Sequence, residues 1–136
     1  MIYILEGIHG GGKSTYAQQL DLPVKSKGLR TLDDIKQELE GKDDIVYDRL
    51  FGLYWGAHKT DEEIMELNTY FKSLPNLKCL MFICDRDTAW QRQAQKSYNR
   101  LTKEDCDKFC DEQERLLSLM DVFEVVDTTT VASQED

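Results

Sequence analysis

The sequence predicts an α/β fold built on a parallel sheet, and three observations carry that prediction. Short apolar runs bounded by polar residues recur along the 136 residues, with segments of helical period between them. Strands that alternate with helices lie parallel and place the helices on the faces of their sheet. The run from Leu77 to Cys84 is almost wholly apolar, as a strand is when both faces of the sheet are covered. A glycine-rich run, Gly7-Ile8-His9-Gly10-Gly11-Gly12-Lys13-Ser14, sits between a strand pattern and a helix pattern. A chain of this length is one domain, 1–136, large enough for a real core and with little room for a second lobe.

Each element has its own signal. Ile2 to Glu6 is the first strand, and Tyr16, Ala17 and Leu20 mark the helix behind the glycine run. Leu22-Pro23-Val24-Lys25 reads as a short edge strand, since a proline cannot donate to both ladders of a central one. Thr31 opens a helix running to Gly41, with Leu32, Ile35 and Leu39 on one face and Asp33 and Asp34 in the first turn. Asp44 to Asp48 is the next strand. Thr60-Asp61-Glu62-Glu63 is a capping box, and Ile64, Leu67, Phe71 and Leu74 follow at 3-4-3 spacing. After the Leu77–Cys84 strand comes a long helical region, broken near Leu101-Thr102 and ending near Met120. Val122 to Val126 closes the sheet, and residues 129–136 form a polar tail.

Composition narrows the functions. Charged residues make up 32% and the net charge is −9, which disfavours broad binding to nucleic acid or to an anionic membrane. No apolar stretch approaches a membrane-spanning length, and the N-terminal residues read as a strand, not as a secretory signal. Cys79, Cys84, Cys106 and Cys110 show no C-x-x-C spacing and fit a reduced intracellular protein. Cys106 and Cys110 could hold a metal across one helical turn. Their place in the series Cys106, Phe109, Cys110, Leu116, Leu117, Met120 gives a plainer account, a buried face.

The glycine run fits G-x-x-x-x-G-K-[ST] in the strand–loop–helix context that motif requires. Gly7, Gly10, Gly11 and Gly12, with His9 among them, let successive backbone N–H groups point at phosphate oxygens beside a helix N-terminus. Lys13 would bridge the outer phosphates, and Ser14, followed by Thr15, would offer its hydroxyl to a nucleotide-bound Mg²⁺. Ligands of parallel sheets gather at the C-terminal ends of strands, which selects Glu6, Asp48 and Asp85. Asp48 could hold Mg²⁺ or take a proton from an attacking oxygen, and Arg49 could grip a phosphate with both arms. By itself the pair also fits an Asp capping its loop and bound to its neighbour. The glycine loop in the same sheet favours function.

A second constellation is electrostatic. No acidic residue lies between Thr88 and Lys103, yet Arg92, Lys96, Arg100 and Lys103 are basic, a local inversion of sign in an acidic chain. Arg92, Lys96 and Arg100 recur every four residues, along one helix face. Residues 86–103 therefore suit a lid that closes over phosphates, although a solvated basic face has the same pattern. Lys25, Lys27 and Arg30 could help hold a second substrate or form a solvated loop. Phe51, Tyr54 and Trp55, near Gly52 and Gly56, could stack on a nucleobase or pack in the core.

These residues resemble a family. Ile4-Leu5-Glu6-Gly7 running into Gly12-Lys13-Ser14-Thr15, then Asp48-Arg49, then Ile83-Cys84-Asp85-Arg86 before an arginine-bearing helix, resemble the thymidylate kinase group of P-loop kinases. Deoxynucleoside kinases share much of the pattern. The likeness spans most of the chain, and the glycine loop is its only highly specific piece. Asp127-Thr128 also resembles the loop that cups adenine in this group. The resemblance implies a three-layer sandwich with sheet order 2-3-1-4-5, ATP with Mg²⁺ as phosphoryl donor, and a small nucleoside or nucleoside monophosphate as acceptor. It assigns Arg49 to the acceptor side, and the helix bearing Arg86 and Arg92 to the lid over ATP. It also implies a cytoplasmic protein, in the host cytoplasm for a viral member, and leaves the oligomeric state open, a homodimer included. Two departures stand out. His9 occupies a position where the group usually has a carboxylate, and only 33 residues separate Ser14 from Asp48, with no Pro-Gly-Gly acceptor segment. A shortened, viral or acceptor-changed member would look like this.

The leading expectation is phosphoryl transfer from ATP to a deoxynucleoside monophosphate, with Lys13, Ser14, Asp48, Arg49 and Arg92 as the working residues. A nucleoside acceptor would need its hydroxyl proton removed, and Glu6 is the natural base for that. A 5′-polynucleotide kinase is disfavoured by the acidic charge. A module that binds nucleotide without transferring phosphate would need a residue to position hydrolytic water or an effector loop, and no motif for either is present.

Overall fold

The computed structural model describes residues 1–7, 12–52, 58–95 and 102–129. Its strands are β1 (Ile2–Gly7), β2 (Val24–Lys25), β3 (Ile45–Asp48), β4 (Leu77–Ile83) and β5 (Phe123–Asp127). Its helices are α1 (Lys13–Gln19), α2 (Leu32–Leu39), α3 (Asp61–Lys72), α4 (Arg86–Ala94) and α5 (Lys103–Leu119). The strands form one parallel sheet in the order β2-β3-β1-β4-β5, the order the resemblance implies. Val24–Lys25 is indeed an edge strand, and the apolar Leu77–Ile83 run lies inside the sheet.

The pleat of the strands sorts the core into two layers. Ile2, Ile4, Ile45, Tyr47, Cys79 and Met81 point to one face and pack against Ile35 and Leu39 of α2, Ile64, Leu67 and Phe71 of α3, and Leu116 of α5. Leu5, Val46, Leu80 and Phe82 point to the other face, where Ala17 of α1 covers them. Each large side chain fully buried here contributes about 2 kcal/mol. The α2 helix starts where Thr31 accepts the Asp34 N–H, and α3 where Thr60 and Glu63 close the expected capping box. Asp85 and Thr102 cap α4 and α5 in the same way. The helical region read as broken near Leu101-Thr102 is thus two helices, each with its own N-cap. The last strand begins one residue later than expected, because the Val122 N–H donates to Asn68 and not to a ladder. No helix among the described residues is long and apolar enough to cross a membrane.

Candidate active site

The strand-end residues are aimed by the same pleat. Asp48 pairs in register with Leu5 and so faces the layer covered by α1. There its Oδ2 accepts a hydrogen bond of 2.6 Å from the Ser14 hydroxyl. Lys13 opens α1, is 5% exposed, and donates from Nζ to the Gly7 carbonyl at 3.0 Å. Gly12, just before it, has a left-handed φ of 87°. Gly7 is needed for another reason: a Cβ there would lie 2.3 Å from the Phe82 carbonyl oxygen. Thr15 lies on α1, half-buried.

Glu6 points the opposite way, following Ile2 and Ile4 on the α2–α3–α5 face, and is 1% exposed. An unpaired carboxylate there would be very costly. Its Oε2 accepts the N–H groups of Leu50 at 2.8 Å and Phe51 at 3.1 Å, and its Oε1 accepts that of Gly52 at 3.1 Å. Burial pushes its pKa up, while the three N–H groups and the Lys13 ammonium draw it back. Arg49, just before this loop, is exposed and has a left-handed φ of 75°. That conformation costs an L-residue about 1–2 kcal/mol. It is held by the Arg49 N–H donating to Leu5 O and by the Lys27 N–H donating to Arg49 O, both at 2.9 Å. Arg49 Nε also donates to the Lys27 carbonyl at 3.2 Å.

The far side of the sheet edge is tied down by arginines. Arg92 is 4% exposed on α4 and donates from Nη1 and Nη2 to the Thr128 hydroxyl (3.0 Å) and carbonyl (2.6 Å). Thr128 follows β5 and bonds back to Ile83 O through both its N–H and its hydroxyl. Arg86 joins α4 to α5 through Asp111, Glu114 and the Asp107 carbonyl. Asp85 accepts the Thr88 N–H at 2.7 Å, and this helix-capping bond holds its carboxyl below the usual range.

The structure therefore brings Gly7, Lys13, Ser14 and Asp48 together, places Glu6 and Arg49 beside them, and sets Arg92 and Arg86 in contacts within the protein. His9, Gly10, Gly11, Tyr54, Trp55, Gly56, Lys96, Arg100 and residues 130–136 lie outside the described residues. Lys103 is exposed at the start of α5. Lys25 and Lys27 both pair with Glu38 at 3.7 Å, and Arg30 is exposed. Phe51 packs in the core against Phe71 and Phe123. Cys106 and Cys110 lie on the expected buried face beside Ala89. Sequence reasoning missed the Leu50–Gly52 amides and the backbone of Lys27. Both act through main-chain atoms, which no residue letter advertises.

Sheet order, loop position and strand-end residues together define the fold of the P-loop kinases. Comparison with solved structures agrees. YorR of Bacillus subtilis, solved in complex with phosphorylated GDP, superposes with a TM-score of 0.64 at 17% identity, over 97% of this chain and 87% of that one. Deoxyadenosine kinase of M. mycoides, solved with dCMP and dCDP, gives 0.60 at 17% identity, over 93% and 90%. Shikimate kinase of Bacteroides thetaiotaomicron gives 0.54 at 14% identity, over 92% and 84%. At these identities the likeness is one of fold. No protein-family model matches the chain, and no curated protein does.

Proposed function

We propose that the protein transfers a phosphoryl group from ATP to a deoxynucleoside monophosphate. The observation that carries this reading is the 2.6 Å contact between Ser14 and Asp48, one beside the phosphate-loop lysine and the other ending the neighbouring strand. Two hard oxygen ligands at that spacing fit magnesium, which takes few protein ligands and leaves the rest to phosphates and water. Bound there, magnesium would neutralise charge on the nucleotide's phosphates. Lys13 supplies a fixed cation at the same point, and Arg49 presents a guanidinium from a loop already held in place. Transfer by such a site is a matter of positioning and charge.

A phosphate acceptor is already anionic at neutral pH and needs no base. That suits a site in which Glu6 is engaged by three backbone N–H groups. The name of the deoxyadenosine kinase neighbour supports a second reading, transfer to a nucleoside hydroxyl, with Asp48 as the strand-end carboxylate at hand. Incubation with ATP, Mg²⁺ and a panel of nucleosides and monophosphates tests both. A deoxynucleoside diphosphate is the expected product. Product from nucleosides alone selects the second reading. No product from any acceptor, while ATP still binds, overturns both and leaves a nucleotide-binding module.

A further inference from the structure

Three consecutive residues at the end of β1 hold both halves of the site. The Leu5 carbonyl accepts the Arg49 N–H, and the Glu6 carboxylate accepts the next three amides, Leu50, Phe51 and Gly52. The Gly7 carbonyl accepts the Lys13 ammonium. Four successive loop amides and the phosphate-loop lysine are therefore fixed to one short piece of a central strand. We propose that Glu6 is a positioning residue, whose carboxylate holds the Leu50–Gly52 loop so that Arg49 meets the acceptor at a set distance from Lys13. This rests on the phosphotransferase reading above and departs from the expectation that Glu6 would be the base toward a nucleoside acceptor.

Three observations support it. Glu6 is 1% exposed, so an acceptor hydroxyl has no open path to it. Both of its oxygens are engaged by the same loop, the geometry of an anion that organises backbone. The left-handed φ of Arg49 also needs support from both sides. Leu5 and Lys27 hold Arg49 itself, and Glu6 holds the three residues after it. A carboxamide cannot replace this carboxylate, because its NH₂ group would face at least one of the three N–H donors.

The full-length chain carrying Glu6→Gln tests the proposal, with Glu6→Asp as a second variant that keeps the charge and shortens the reach by one methylene. Amide hydrogen exchange, ATP affinity and steady-state kinetics are measured on each. Exchange at Leu50, Phe51 and Gly52 is expected to quicken by about tenfold, with the amides of β1 and β4 unchanged. The acceptor KM should rise by about tenfold, while ATP affinity and kcat at saturating acceptor stay within about threefold. Unchanged exchange at the three amides overturns the proposal. So does a loss of kcat of about a thousandfold at unchanged acceptor KM, the signature of a missing base. If the parent chain transfers to no acceptor, the phosphotransferase reading fails, and the exchange measurement alone decides whether Glu6 holds the loop.

Discussion

Replacing Gly7 by alanine probes the tight approach of β1 to β4 at Phe82. The added Cβ would stand 2.3 Å from the Phe82 carbonyl oxygen, whereas carbon and oxygen rest about 3.3 Å apart. β1 and β4 would have to part by about 1 Å where Gly7 and Phe82 pair in register. Such overpacking costs about 1–3 kcal/mol, and the φ of +139° at Gly7 adds about the same in backbone strain. A loss of about 4 kcal/mol is expected. Two other glycines separate the causes. Gly41 has a φ of +71° with nothing within 4 Å, so Gly41→Ala should lose only about 1 kcal/mol from strain. Gly28 has neither constraint, and Gly28→Ala should stay within about 0.5 kcal/mol of the parent. Urea unfolding of the three variants beside the parent gives the order directly. A Gly7→Ala protein no less stable than Gly41→Ala would mean that the contact with Phe82 costs nothing.

Arg92, Tyr47 and Asp48 offer further tests. Arg92→Met removes two buried hydrogen bonds and leaves the Thr128 carbonyl short of a donor, so thermal unfolding should show a loss of about 2–3 kcal/mol; an unchanged melting curve would contradict this. Tyr47→Phe deletes the 2.7 Å bond to Glu38 and should cost about 1.5 kcal/mol near neutral pH. That bond, followed by Lys27, Lys25 and Lys42, holds the Glu38 carboxyl below its ordinary range. The stability it brings is present above the ordinary carboxylate pKa and is lost as pH falls through the lowered one. The gap between parent and Tyr47→Phe should therefore narrow in acid, and a gap independent of pH would count against the assignment. Asp48→Asn keeps a partner for Ser14 but loses the anion, so the Mg²⁺ concentration for half-maximal ATP-dependent turnover should rise about tenfold; an unshifted titration would remove Asp48 from the metal site.

Much of the fold could be read from side chains because its signals are local. Thr60 and Glu63 are three residues apart and close a capping box whatever lies around them. The apolar run of β4 announces a strand covered on both faces. Ser14 and Asp48 could be brought together in advance, because a motif at one strand end and a carboxylate at the next leave few other arrangements. Glu6 could not be understood so easily. Its partners are backbone amides 44 to 46 residues away, held in a loop whose shape depends on a left-handed arginine. Arg92 is equally hard to place. A basic residue at every fourth position suggests a charged outer face, but here Arg92 is buried against Thr128, 36 residues further on.

Glu6 and Asp48 end neighbouring strands yet leave the sheet on opposite sides. The parts that would handle ATP and the loop that would meet the acceptor thus share one stretch of β1 but are held from its opposite faces. For a phosphotransferase this makes specificity a detachable trait. The length of chain after Gly52 would then be free to differ while Lys13, Ser14 and Asp48 keep their seats, provided that the Leu50–Gly52 amides still reach Glu6. A phosphotransferase built this way would change its acceptor by inheriting a different loop, without reinventing its chemistry.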